Sequence, residues 1–250
     1  MRWLAGPLRV LVAVAALLGA WEAACALLAL QETTLPAPSD AFRAIGDQQA
    51  VLLPALRTTA GEALAGLGLA ALVGGVLGTL LALSRRTRQV VEPVLAVSQT
   101  IPIIALAPLL VTWLGFGLAP KVLVVALIGF FPIVVAVTAG VQQADRALDE
   151  LVRGAGAGRW RRFRLAELPA AAPAVVAGAR VSALLVVPGA VAAELVGATD
   201  GLGRLLLIYD RDGRTTLTFA CVLLLAALGL ACWALVEALD AVLRRRGLTS

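Results

Sequence analysis

The sequence contains no histidine, one methionine, one tyrosine and three cysteines in 250 residues, and only 15% of it is charged. The missing imidazole excludes a zinc-protease HExxH helix, a serine–histidine dyad working inside a membrane, and any histidine-ligated metal centre. A phosphate-cradling loop is also missing. The stretch "GAGAGR", residues 154–159, alternates glycines but lacks the GxxxxGK[ST] spacing and follows no buried strand. The chain is therefore expected to hold no nucleotide, metal or other cofactor itself and to carry no catalytic residue. Cys25, Cys221 and Cys232 all fall in apolar runs, where a free thiol behaves as a small hydrophobe, so no disulfide is expected.

What the chain has in abundance is apolar surface. Hydrophobic residues make up 60% of it, whereas soluble domains run at about half apolar and a quarter charged. A bilayer core takes about 20 mainly apolar residues per helical span. Six stretches qualify, at roughly 8–30, 60–83, 93–114, 120–141, 173–196 and 217–240. These unbroken Leu, Val and Ala runs lack the alternation of outer-membrane barrel strands. The expected fold is an all-α integral membrane protein of about six transmembrane helices, a single transmembrane domain over 1–250. The segments left over are too short for a separate soluble domain, so an energy source, enzyme or receptor has to be another polypeptide.

The charges orient the spans. With a cytoplasmic amino terminus, fourteen of the 21 basic residues fall on inner segments and six on outer ones, with Arg180 inside a span. That asymmetry fits the positive-inside rule and puts both termini in the cytoplasm. The formal charge of +5 then reports topology and contact with anionic membrane lipid, and not a nucleic-acid partner. Arg2 and Arg9 ahead of "WEAACA" imitate a secretory signal. The apolar run nevertheless continues through Leu30, and Glu22 stands three residues before Cys25 where a lipoprotein signal needs an apolar residue. A retained first span is expected.

Between the fourth and fifth spans, "VQQADRALDELVRGAGAGRWRRFRLAELP" reads as two short helices around a glycine-rich hinge, the second basic and aromatic and stopped by Pro169. On the first, Leu148, Leu151 and Val152 fall at i, i+3 and i+4 and make an apolar edge flanked by Glu150 and Arg153. Such an edge on the cytoplasmic side suits the groove of a partner protein. The alternative is a loop that rests on lipid headgroups.

Charges inside spans face a cavity or a partner. Arg180 and Glu194 share the fifth span, about 21 Å apart at 1.5 Å per residue, too far for one ion pair. Arg180 belongs to the cytoplasmic part and Glu194 to the outer mouth, so both are candidates to line a solute path. Arg180 could instead snorkel to headgroups or bond to the cytoplasmic loop, and Glu194 could cap or contact the following "GATDGLG". In the third span, "SQTIPI" includes Pro102, which removes a backbone donor and frees a carbonyl. Broken helices of this kind line cavities or lie buried in protein. Gln99, Thr100 and that backbone offer neutral hydrogen bonds, with Trp113 as an aromatic wall. Pro132 and Pro188 suggest bends in spans four and five, and the glycines of "GLGLAALVGGVLG" suggest close helix packing.

From Glu150 the chain resembles the EAA loop of bacterial ABC-importer permeases: an acidic residue, a glycine six positions later, then a leucine–proline pair. Here these are Glu150, Gly156, Leu168 and Pro169, with Leu151 and Val152 where the family usually has two alanines and Ala166 in place of a typical isoleucine. The resemblance extends over "TLPAPSDAF", "QTIPIIALAPLLVTWLGFGLAPKVLVVALIGFFPIVV" and "AAELVGATDGLGRLL", which are similar to permeases of the nitrate, sulfonate and taurine group. Within it, "QTIPIIALAPLL" and "PKVLVVALIGFFPIVV" look like permeases for pyrimidine precursors of thiamine, such as hydroxymethylpyrimidine.

The resemblance implies a type I ABC-importer permease fold in the bacterial inner membrane. It implies a coupling loop at 142–170 in which Glu150, Leu151, Val152, Gly156, Leu168 and Pro169 engage a cytoplasmic ATPase. Two such ATPase subunits, holding ATP and Mg, would pair with two copies of this chain and an external solute-binding protein. Related branches move sulfonate, taurine, nitrate or riboflavin, and a scaffold alone does not name its solute. A different class, a secondary transporter driven by protons or sodium, would need a membrane-buried carboxylate, for which Glu194 is the sole strong candidate in the sequence.

Overall fold

Helices account for nearly all the residues that the computed structural model describes, 5–28, 31–142, 158, 161 and 168–245. In chain order they are α1 (Ala5–Leu27), α2 (Pro38–Asp47), α3 (Gln49–Leu83), α4 (Arg85–Ser98), α5 (Ile103–Leu114), α6 (Leu118–Gln142), α7 (Leu168–Glu194), α8 (Leu202–Arg211) and α9 (Thr215–Arg245). Four of them, α3, α6, α7 and α9, are long and apolar enough to cross a membrane. The α4–α5 pair can form a fifth crossing, bent by 92°. Among the described residues that makes four or five crossings of the all-helical membrane fold. The described apolar part of α1, Val12–Leu27, is a shorter helix.

The stretch expected as one span at 93–114 is in fact two helices meeting at residues 99–102. Local chemistry explains the break. Proline at 102 has no N–H to continue the ladder and disfavours a helical Ile101 before it. The Ser98 and Thr100 hydroxyls donate back to the carbonyls of Leu95 and Val97, each at 2.7 Å, which ends α4. At its other end α4 is capped by Ser84, whose hydroxyl accepts from the Thr87 amide at 3.3 Å. By contrast Pro132 and Pro188 lie inside helices that run on past them, α6 and α7.

The bundle is built on α6, which packs along α3 on one side and α7 on the other. Small residues make that approach possible. Gly66, Ala70, Gly74 and Gly78 form one stripe of α3, and it meets Val125, Ile133 and Val137 of α6. A methyl group on Gly74 would stand 2.8 Å from the Phe130 carbonyl oxygen. On the other side Gly178 of α7 lies over the Pro132 carbonyl, and the buried Ser182 hydroxyl donates to the Gly129 carbonyl at 2.5 Å. Lipid tails are as apolar as leucine, so helices in a membrane gain their affinity from such close packing and interhelical hydrogen bonds.

At 35 residues α3 is about 52 Å long, well beyond an apolar thickness of about 30 Å. Its first turns therefore project from the outer side, as the charge count orients the chain. There they join α2, α8 and the start of α9 around a second small core, in which Leu52, Ala55, Leu202, Tyr209, Leu217 and Cys221 are buried together. Glu22 of α1 accepts from the Ser39 amide at 3.0 Å and its hydroxyl at 2.8 Å, at the start of α2, and Trp21 packs on Phe219 of α9. Cys25, Cys221 and Cys232 are buried and free.

Candidate functional site

Two polar clusters and one elbow stand out from the apolar packing of the bundle. The outer cluster lies where α3, α6 and α7 meet. Glu62 stands 21 residues before Leu83 at the inner end of α3, about 32 Å along the axis, which puts it at the outer edge of the apolar layer. Its Oε1 accepts from the Lys121 ammonium at 2.6 Å, and Lys121 also donates to the Asp200 carbonyl at 3.4 Å. Glu62 is 1% exposed and Lys121 8%. Beside them Glu194 closes α7, with Oε1 accepting from the Thr59 hydroxyl at 2.7 Å and Oε2 from the Gly203 amide at 2.5 Å. Glu62 Oε2 has no hydrogen-bond partner among the described residues.

The inner cluster joins α7 to α9. Arg180 donates through Nη2 to Glu237 and to Asp240, both at 3.0 Å. Its Nε lies 2.5 Å from Glu237 Oε1 but off the N–H direction, so that contact is a close ion pair without an aligned hydrogen bond. Arg244 Nε donates to the same Asp240 oxygen at 3.0 Å. Arg180, midway along α7, and Glu194, at its last residue, are thus each engaged by protein groups.

Sequence reasoning passed over the partners Glu62, Lys121, Glu237 and Asp240. The signal was present, since Glu62, Glu237 and Asp240 stand in the same apolar stretches by the criterion that singled out Arg180. Glu194, the sole strong candidate in the sequence for a membrane-buried carboxylate, is joined among the described residues by Glu62 and Asp240, which are buried as well.

The elbow between α4 and α5 presents Gln99, Thr100, Ile101 and Pro102, all exposed in the single chain. Trp113, near the end of α5, is 72% exposed. None of these touches either charged cluster through a hydrogen bond. The elbow therefore offers amide, hydroxyl and backbone groups without net charge, while Trp113 stands about 15 Å further along α5. At the outer surface Tyr209 of α8 has its hydroxyl pushed up from the usual 10.0, chiefly by burial. The Arg214 guanidinium lies 5.2 Å from its ring centre.

Of the coupling-loop residues, Glu150, Leu151, Val152 and Gly156 lie outside the described residues. Leu168 opens α7, and Pro169 follows it within the first turn, where the missing N–H of proline breaks no helical bond. Among the described residues no group of three His, Cys, Asp or Glu side chains is gathered as a metal site.

Residues 52–246 match the family described as the binding-protein-dependent transport system inner membrane component. A formylaminopyrimidine transport permease, ThiX of Halalkalibacterium halodurans, is 32% identical over 228 residues, covering 89% of each chain. The riboflavin transport permease RibX of Chloroflexus aurantiacus is 39% identical over 161 residues, 64% of this chain and 60% of that one. Among solved structures, the inward-facing MetNI methionine ABC transporter gives a TM-score of 0.65 at 22% identity, covering 77% of this chain and 97% of the other, which shows a shared fold. These likenesses displace the ion-driven secondary transporter as a reading. They imply a separate ATPase and a binding protein as partners. The chain belongs to the family of binding-protein-dependent inner-membrane components: it is a multi-pass permease subunit of an ABC importer, a transport subunit and not an enzyme.

Proposed function

We propose that this permease imports a pyrimidine precursor of thiamine, such as hydroxymethylpyrimidine, and works as a homodimer. The observation that carries the solute is the likeness to the formylaminopyrimidine permease over 89% of both chains. The α4–α5 pair supports it: Gln99, Thr100 and the backbone before Pro102 hydrogen-bond without charge, and Trp113, further along α5, offers a flat face to a heteroaromatic ring at another point of the path. We place Arg180 and Glu194 at the inner and outer ends of that path, as braces that keep α7 in register while the elbow faces the solute. One chain supplies a single coupling loop, so a symmetric ATPase pair requires two copies about a two-fold axis.

In this reading, residues 142–170 form the coupling loop, with Glu150, Leu151, Val152, Gly156, Leu168 and Pro169 as its contacts to the ATPase. ATP binds only the ATPase, with Mg, and draws the two loops together. The solute path then opens outward to the loaded binding protein. ATP and solute must favour different conformations for this cycle to run, because a ligand indifferent to both shifts nothing.

Two measurements test the proposal. Glu150→Arg and Gly156→Pro should leave membrane insertion intact and release the ATPase in detergent pull-downs, and undiminished co-purification would refute the docking role. The binding protein that serves this permease, titrated with hydroxymethylpyrimidine, formylaminopyrimidine, riboflavin, taurine, an alkyl sulfonate and nitrate, should bind the pyrimidines at least about ten-fold tighter than the rest, a difference of about 1.4 kcal/mol. A preference for riboflavin or for the anions would overturn the solute while leaving the transport class intact.

A further inference from the structure

The outer helix α8 begins with an unusual cap. Its N-cap residue, Gly201, has no side chain to offer, and the first amides of a helix have no partner within it. Both of the partners come from other helices. The Leu202 amide donates to the hydroxyl of Thr59 on α3 at 2.9 Å, and the Gly203 amide to Glu194 on α7. Thr59 is fully buried, and its one hydroxyl accepts from α8 while donating to Glu194 at 2.7 Å. One oxygen atom thus closes a ring through α3, α7 and α8, with the Glu62–Lys121 pair one turn further along α3.

The fit leaves no slack. Gly201 has a φ of +121, which only glycine adopts readily, and any side chain there would run into the Glu194 carboxylate. A methyl on Gly203 would lie 2.8 Å from the same carboxylate. Beyond this clasp α8 is amphipathic: Leu202 and Tyr209 enter the outer core, while Arg204, Asp210 and Arg211 face outward. A cleft of about 140 Å³ lined by Val51, Pro54, Thr58, Asp200 and Arg204 separates the outward face of α8 from the projecting end of α3.

We infer that Thr59 is a positioning residue that ties α8 to the spans, so that a soluble binding protein engaging the outer face is registered in α3 and α7. This rests on the chain's dependence on a binding protein. Without the clasp, α8 keeps its apolar contacts but its start is released from the two helices that pack on α6, and docking energy is spent in a local rearrangement.

The test uses the assembled transporter, permease with its ATPase in lipid vesicles, and reads ATP hydrolysis with and without solute-loaded binding protein. Thr59→Val keeps the shape and removes the hydroxyl, leaving the Leu202 amide unpartnered, while Thr59→Ser keeps the hydroxyl. Thr59→Val is expected to leave basal hydrolysis within about two-fold of native and to reduce the stimulation ratio by about five-fold or more, the lower end of measured site-to-site couplings. Thr59→Ser should restore that ratio. A merely structural role would lower basal and stimulated rates together and leave the ratio unchanged, which would overturn the inference, as would a valine variant that is stimulated like native. Should Thr59→Val fail to assemble, Thr59→Cys, with a thiol that donates weakly, carries the same comparison. Absence of stimulation in the native transporter would remove binding-protein dependence and this inference together, whereas an unchanged ratio in the variants removes the inference alone.

Discussion

Replacing Lys121 by methionine is expected to destabilise the folded protein by about 3–5 kcal/mol, because it strands the Glu62 carboxylate in a site from which water is excluded. Methionine fills much of the lysine's volume, so the loss is electrostatic more than steric. Among the described residues Glu62 would lose its one hydrogen-bond donor, and it would be left beside the Glu194 carboxylate. The Asp200 carbonyl, which accepts from Lys121 at 3.4 Å, would lose a donor as well. Thermal denaturation in detergent, followed by helical circular dichroism, reads the effect as a lower midpoint. The double variant Lys121→Met with Glu62→Leu should recover most of the loss, since removing both members of a buried pair leaves no uncompensated charge. A single variant as stable as the native chain would show that water or another group reaches Glu62.

Gly178→Leu should also be damaging, through a different cause. A first side-chain carbon at Gly178 would stand 2.8 Å from the Pro132 carbonyl oxygen, a backbone atom that no rotamer can move. The α6–α7 contact would have to open, and overpacking of this kind costs about 1–3 kcal/mol or more. The expected outcome is a sharp fall in the yield of monodisperse protein on size-exclusion chromatography. Gly75 supplies the control. It is the same residue type inside a long helix, yet nothing lies within 4 Å of where its side chain would start. Gly75→Ala should therefore be neutral, or stabilising by up to about 1 kcal/mol from helix propensity. Equal damage at 178 and 75 would mean that glycine content, and not the α6–α7 approach, governs stability.

These contrasts mark how far the residues could be read without coordinates. The spans at 120–141 and 173–196 correspond to α6 and α7 within a few residues, because an apolar run of that length in one helical piece has few other places to go. The third stretch was legible in part: Pro102 marked a broken helix, but hydropathy averages over the break, and the 92° turn with its two back-bonding hydroxyls came only with the structure. The extra length of α3 was also invisible to hydropathy, because its outer turns carry Arg57 and Thr59 and are held by packing against α8 and α9.

The polar sites divide in the same way. That Arg180 and Glu194 needed partners followed from the free-energy cost of a charge in an apolar span, and their separation along one helix ruled out each other. Composition, the placement of arginines and the absence of histidine were likewise sufficient to set the class of protein, because they act through the bilayer and through side-chain chemistry, neither of which depends on contacts distant in sequence. Which groups answer those charges was decided only by the fold. Glu237 and Asp240 lie 57 and 60 residues from Arg180, and Thr59 lies 135 residues from Glu194. A pairing at such separation is fixed by how α3, α7 and α9 pack, and packing is a property of surfaces brought together in space, which no local stretch of sequence contains.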